Sequence, residues 1–258
     1  MHTSENLIKH RFCAKYIVCP DGIERLYSVQ EFARPVFCDD GWERDIPREA
    51  SKKKSDKADS VKNAVRRAKR LAFDLAIANN FDAFFTLTYA PSETLDRTRY
   101  SDVYKPLRVW LSNQVQRKGL RYIMTAERHK KGGIHFHGLC NASALSLVAA
   151  VNPYSGAEIF HNGKQVFNIS NWEKMGFSTC KMLDSSTSDR VSVAKYVTKY
   201  ITKDADKVGG RYIYHGGDLV LPRRALADSM EEITTAEPLR SFACNIPDVG
   251  DYAEHIFL

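Results

Sequence analysis

Glu127, His135 and His137 stand in one stretch, Glu127-Arg-His-Lys-Lys-Gly-Gly-Ile-His135-Phe-His137-Gly-Leu, whose residue types suit metal chemistry. The runs on either side of Lys130-Lys131-Gly132-Gly133 read as β-strands, over 121–126 and 134–140, and the polar tetrad turns the chain between them. Side chains alternate across a sheet, so His135 and His137 share a face about 6.6 Å apart, within reach of one small ion. Glu127, ending the partner strand, can bring a carboxylate across the hairpin. Two imidazoles and a carboxylate leave coordination positions open, as a catalytic divalent ion requires and a closed structural site does not. The competing reading is a surface strand that carries two unrelated histidines.

A second stretch with chemical potential lies far along the chain, Val191-Ser-Val-Ala-Lys195-Tyr196-Val-Thr-Lys199-Tyr200-Ile-Thr-Lys203. Val193, Val197, Tyr200 and Ile201 follow helical spacing, and Lys195, Lys199 and Lys203 fall on one i, i+4 stripe. Tyr196 and Tyr200 are four apart, hence neighbours on one face, separated by about 6 Å of rise. Two tyrosines at this spacing are ordinarily packing residues. Beside a lysine stripe, in a basic chain that also carries an HxH hairpin, a functional reading is preferred.

Composition bounds the partners. The chain has 258 residues, a net charge of +7 and 43% hydrophobic residues, enough for one sizeable domain or a domain with extensions and for a polyanionic partner. No apolar run approaches membrane-spanning length, and Met-His-Thr-Ser-Glu lacks the layout of a secretion signal, so a soluble intracellular protein is expected. The six cysteines, Cys13, Cys19, Cys38, Cys140, Cys180 and Cys244, match no zinc-finger or disulfide spacing and read as reduced thiols. There is no GxxxxGK[ST], hence no ATP-driven motor, and no internal repeat.

The elements that must position these residues follow from local pattern. Short β-like runs at 15–18, 25–29 and 35–38 with turns at Pro20-Asp21-Gly22 and Asp39-Asp40-Gly41 point to a small hairpin layer. After a polar linker at 51–59, Ser60 is a candidate N-cap for a helix whose apolar side runs Val61, Ala64, Val65, Ala68, Leu71, Ala72, Leu75 and Ala78. Lys62, Arg66, Arg67, Lys69 and Arg70 crowd its other side without an acid among them, a face read as contacting phosphates rather than merely solvated. Asn79-Asn80 stops that helix, and 83–89 is a strand with Thr86 and Thr88 on one side and Phe85, Leu87 and Tyr89 on the other, sufficiently explained as a core strand.

A loop over 91–99 leads to a helix over 102–118, with Leu107, Trp110, Leu111 and Val115 inward, Gly119 closing it, and Pro106 placing its regular start near that residue. Beyond the hairpin, 142–151 reads as a short helix. Strands at 157–160 and 165–169 flank an Asn162-Gly163 turn that makes His161 a turn residue, and 176–183 is another strand. A polar loop at 184–190 precedes the tyrosine segment. Residues 211–221 resemble a final hairpin, and the chain from 225 reads as a peripheral tail.

Taken in order, Phe84-Phe-Thr-Leu-Thr-Tyr89, Ile134-His-Phe-His-Gly-Leu139 and Ala194-Lys-Tyr-Val-Thr-Lys-Tyr-Ile-Thr-Lys203 resemble the three motifs of the HUH endonuclease superfamily. Within it the resemblance is to the rolling-circle replication initiators of small single-stranded DNA phages and related elements, in their two-tyrosine form. It covers roughly residues 80–224. It implies an α+β fold, a ferredoxin-like relative with a five-stranded antiparallel sheet and flanking helices. It divides the chain into an N-terminal extension with the basic helix (1–79), an endonuclease domain (80–224) and a C-terminal tail (225–258).

The same resemblance implies roles. Glu127, His135 and His137 would hold Mg²⁺ or Mn²⁺, although two imidazoles also accept zinc. Tyr196 or Tyr200 would attack single-stranded DNA at a replication origin, Lys199 would assist the phenol, and Lys195 and Lys203 would contact backbone phosphates. The implied setting is a cytoplasm, bacterial if the chain is phage-encoded, with a host helicase and polymerase as partners and no membrane. Two alternatives stay open: a single-tyrosine transposase of the same superfamily, and a non-catalytic basic nucleic-acid-binding protein. A histidine-triad hydrolase would want a third alternating histidine, and position 139 is Leu. A two-histidine phosphoesterase would want a second H-x-T or H-x-S motif, which the chain lacks.

Overall fold

A computed structural model describes residues 6–19, 22–39, 42–45, 57–129, 132–183, 193–195, 198, 208–246 and 250–257. The chain divides into two units, one from residues 57–221 and the other from 1–56 together with 222–258. The architecture is α+β, with large antiparallel sheets and few helices.

In the second unit, strands β1 (Asn6–Val18) and β2 (Glu24–Asp39) form a long hairpin, closed by a turn in which Gly22 takes φ 78°. β3 (Trp42–Asp45) pairs back on β2. The strands expected at 15–18, 25–29 and 35–38 are pieces of this longer pair. The remainder of the sheet comes from the other end of the chain: β12 (Arg223–Ala227) pairs with β1, and β14 (Gly250–Ile256) pairs with β2 and with β13 (Arg240–Ile246). The residues expected to form a peripheral tail are therefore structural strands. Arg223 donates to both carboxylate oxygens of Glu24 at 2.7 Å and lies 4.2 Å over the Tyr16 ring.

In the main unit the chain runs α1 (Lys57–Ala78), β4 (Ala83–Tyr89), α2 (Tyr100–Lys118), β5 (Tyr122–Arg128), β6 (Ile134–Cys140), β7 (Leu147–Ala149), β8 (Phe160–His161), β9 (Lys164–Ile169), β10 (Gly176–Met182) and β11 (Tyr214–Gly216). The sheet order is β11-β5-β6-β4-β10-β9-β7, every pair antiparallel, with β8 on β9. Eight strands replace the five expected, because the segment between β6 and β10 adds short strands beyond β10.

The boundaries at 79/80 and 224/225 also differ from the division observed. Helix α1 groups with the main unit because Ala68, Ala72, Leu75 and Ala76 are buried in clusters with Ile123, Leu139 and Tyr212. Lys62, Arg66, Arg67 and Arg70 are exposed and Lys69 half-buried, so the basic side of the helix faces outward as its period requires. Asn79 ends α1 and is itself buried. Its amide donates to the carbonyls of Leu75 (2.9 Å) and Val220 (2.8 Å) and accepts from the Val220 N–H (3.0 Å). Asn79→Ala orphans buried backbone groups and is expected to cost about 2–3 kcal/mol, to be read as a lower urea midpoint with an unchanged slope.

The larger core lies under the opposite sheet face. There Phe85, Leu87, Tyr89, Met124 and Phe136 meet Val103, Leu107, Trp110 and Leu111 of α2, and Trp172 is fully buried between Tyr89 and Trp110 with ring centroids 5.1 and 5.2 Å away. Gly119 caps α2 in the left-handed region (φ 67°), as expected.

Other local expectations are corrected. Helix α2 starts at Tyr100, with Pro106 inside it. The missing proline N–H falls early in the helix, and burial of Val103 with stacking of Tyr100 on Tyr104 (5.0 Å) holds the first turns. Residues 142–151 form one 3₁₀ turn, Ala142–Ala144, and then β7, because pairing with β9 overrides a weak helical pattern. Residues 211–221 do not close on themselves: β11 pairs with β5 at the sheet edge. The Asn162-Gly163 turn is as expected, with φ 51° and 74°, and it leaves His161 exposed. No helix among the described residues is long and apolar enough to cross a membrane.

Candidate functional site

β6 is central, flanked by β5 and β4, and register decides what faces what. His135 lies opposite Glu127 on β5 and Thr88 on β4, while His137 lies opposite Thr125 and Thr86. Paired residues share a face in an antiparallel sheet, so Glu127, His135, His137, Thr86 and Thr88 all point to the side away from α2. The glycine after the second histidine serves the same packing. A Cβ on Gly138 would run into the Ile123 carbonyl and the Met124 side chain, so only glycine lets β6 lie this close to β5.

The expected trio is brought together, with an internal order. His137 Nε2 is 3.3 Å from Glu127 Oε2, and both side chains are largely buried. The two imidazoles stack at 6.2 Å with their planes 17° apart. Each Nδ1 is engaged by a threonine hydroxyl, Thr86 Oγ1 to His137 at 3.0 Å and Thr88 Oγ1 to His135 at 3.1 Å. A hydroxyl can donate to or accept from a ring nitrogen, so these threonines hold the rings whichever tautomer is present. Phe84 stacks on His137 from beyond Thr86 (6.3 Å, 15°).

Whether a divalent ion suits these residues is a question of donors and spacing. Two atoms that share one ion at about 2.1 Å stand roughly 3.0–3.4 Å apart, and the Glu127–His137 separation falls in that span. Among the described residues no set of three His, Cys, Asp or Glu side chains is drawn around one point, so His135 stands beside the Glu127–His137 pair rather than closed onto it. The donor set of two threonine-held imidazoles and one carboxylate nevertheless fits a divalent ion chemically.

Sequence reasoning missed four neighbours. Thr86 and Thr88 read as core-strand residues; the T-x-T period that matches H-x-H was visible, but its pairing was not. His129 stacks on His135 at 5.1 Å. Arg97 comes from the loop before α2, which is latched to the hairpin: the Ile134 N–H donates to the Arg97 carbonyl (2.9 Å) and Arg128 donates to the Thr98 carbonyl (2.8 Å). The His135 imidazole is held below its usual pKa, first by burial, then by His129, with Glu127 opposing and Arg97 adding to the depression. The ring is thereby kept in the neutral form that ligates metals.

Tyr196, Lys199, Tyr200 and Lys203 lie outside the described residues, as does the expected loop at 184–190. Residues 193–195 and 198 are helical, and Lys195 is exposed. Val193 and Ala194, which open this helix, pack with Phe84, Ile123 and Leu139, residues of the histidine-bearing sheet face. Past the segment, the buried Val208 offers its carbonyl to Tyr214 Oη at 2.7 Å. The Tyr100 ring lies so close over Gly209 (φ 68°) that a Cβ there would collide with it. The stretch that carries both tyrosines is thus anchored to the main unit at its two ends.

No curated protein and no solved structure matches the chain. The strand with Thr86 and Thr88, the hairpin with Glu127, His135 and His137, and the anchored helix at 193–198 all fall within residues 82–205, and that segment matches the family model of the replication-associated protein of the ORF2 type, in keeping with a rolling-circle replication initiator.

Proposed function

We propose that the chain is an HUH endonuclease of the two-tyrosine kind, which nicks and rejoins single-stranded DNA at a replication origin. The observation that carries this reading is the register that sets Glu127, His135 and His137 on one sheet face, inside the segment that matches a replication-associated family. Packing of Val193 and Ala194 against that same face supports bringing the tyrosines to it.

In this reading the phenol oxygen of Tyr196 or Tyr200 forms a bond to the scissile phosphorus, and the bond from phosphorus to the 3′ oxygen breaks. The phenol proton is lost to solvent or a neighbouring base, and the leaving oxygen takes up a proton to become a free 3′-OH. A divalent ion, Mg²⁺ or Mn²⁺, held by Glu127, His135 and His137, supplies charge neutralisation at the phosphate. Lys199 offers a cation to the phenol, Lys195 and Lys203 contact flanking phosphates, and Arg97 adds positive charge beside His135. The phosphotyrosine retains the diester, so rejoining needs no ATP. Two phenols let one hold the 5′ end while the other cuts the regenerated junction. Opening of the duplex and synthesis from the 3′-OH fall to a host helicase and polymerase. The cations of α1, Lys62, Arg66, Arg67, Lys69 and Arg70, are assigned to DNA backbone contact.

Labelled single-stranded DNA carrying a candidate origin, incubated with the protein and Mn²⁺ and run on a denaturing gel, is expected to yield a shifted covalent adduct. Binding without any cleavage would instead favour a basic binding protein, the reading that draws on the exposed cations of α1. The threonines supply a finer check. Thr86→Val with Thr88→Val keeps shape but removes both hydroxyls, and is expected to weaken Mn²⁺ binding by about 10- to 100-fold in calorimetric titration, while leaving the unfolding midpoint nearly unchanged.

A further inference from the structure

Strand β10 extends the histidine face one strand beyond β4. Phe177 pairs with Thr88, Thr179 with Thr86 and Lys181 with Phe84, so Phe177, Thr179 and Lys181 line the same side as His135 and His137. The burial of this strand is inverted with respect to its chemistry. Ser178 and Cys180 point into the core, where Ser178 Oγ accepts the Ile169 N–H at 2.8 Å, whereas Phe177 is 70% exposed. A half-buried strand stabilises the fold by turning its aromatic residue inward. Folding gives no reason for a phenylalanine in solvent and a serine in the core at adjacent positions; a ligand on the outer face does.

We infer that the outer side of β10 is a track for single-stranded DNA, with Phe177 as a platform for one nucleobase, Thr179 as a hydrogen-bonding group and Lys181 as a phosphate contact. Three features fix this occupant. The strip continues the candidate catalytic face, and two strand spacings of about 4.8 Å put Phe177 roughly 10 Å from His135, the scale of a neighbouring nucleotide. The ring presents a π-face, which accepts any base, and stacking needs bases that are not already paired. The chain is basic, with Lys181 on the strip and Arg97 beside His135. This deepens the nickase reading and rests on it for the location of the scissile phosphate, but it concerns binding and is separable from cleavage.

The test is fluorescence anisotropy with a fluorescein-labelled 30-mer of mixed sequence, single-stranded or annealed to its complement, in EDTA so that no cleavage is required. Phe177→Ala is expected to weaken single-strand binding by about 5- to 100-fold and to leave the duplex unaffected, while Phe177→Tyr stays close to the parent. Lys181→Gln is expected to lower the slope of log K against log salt by about one phosphate contact. Phe177→Ala binding the single strand as tightly as the parent, or losing single strand and duplex alike, overturns the inference. A parent that cuts DNA beside a Phe177→Ala variant with unchanged binding would sink the platform and spare the nickase. A parent whose binding depends on Phe177 but which never forms an adduct would do the reverse.

Discussion

Changing Tyr196 and Tyr200 together to phenylalanine is expected to abolish covalent attachment to single-stranded DNA, lowering adduct formation by at least about 10³-fold. The substitution removes two phenol oxygens and keeps both rings, so packing of the helix at 193–198 through Val193 and Ala194 is preserved. Single changes separate the roles. Each leaves one phenol to cut, so each alone is expected to permit a first adduct but to impair transfer of the strand to a second site. The readout is the ratio of adduct to rejoined circle on a denaturing gel. A double variant that still forms the adduct would move the nucleophile elsewhere and remove the reason for pairing two tyrosines four residues apart.

His137→Ala is the second large effect expected, a loss of metal-dependent nicking by about 10³-fold or more, since several kcal/mol of charge stabilisation disappear with the ligand. Among the three candidate ligands His137 is the most constrained: Thr86 at Nδ1, Glu127 at Nε2 and Phe84 against its ring. His135→Ala should be milder in metal affinity, because that ring stands outside the Glu127–His137 pair. Mn²⁺ titration of the two variants side by side measures this order. Equal losses would mean that the rings contribute alike, and nicking that survives exhaustive chelation would argue against any metal role.

Much of the site was legible in the chain because its signals are local. The period of two over 83–89, 121–126 and 134–140 identified three strands, and the polar tetrad between the last two identified their hairpin. A hairpin also sets its own register, so Glu127 opposite His135 followed from the sequence. The Asn162-Gly163 turn and the Gly119 cap are local in the same sense.

Pairing between segments distant in the chain was not legible. That β4 lies against β6, and so hands Thr86 and Thr88 to the two imidazoles, depends on burying Phe85 and Leu87 with Phe136 under α2, and alternation within one strand does not name its neighbour. Sequence by itself therefore determined the ligand-bearing hairpin, the basic side of α1 and the residue types available for chemistry. Tertiary structure alone decided that the two ends of the chain share a sheet, that β11 closes on β5, and that the threonines, Arg97 and Phe177 surround the histidines. The reason is range: turn geometry and side-chain period act over a few residues, whereas strand partners are selected by the apolar surface that folding buries as a whole.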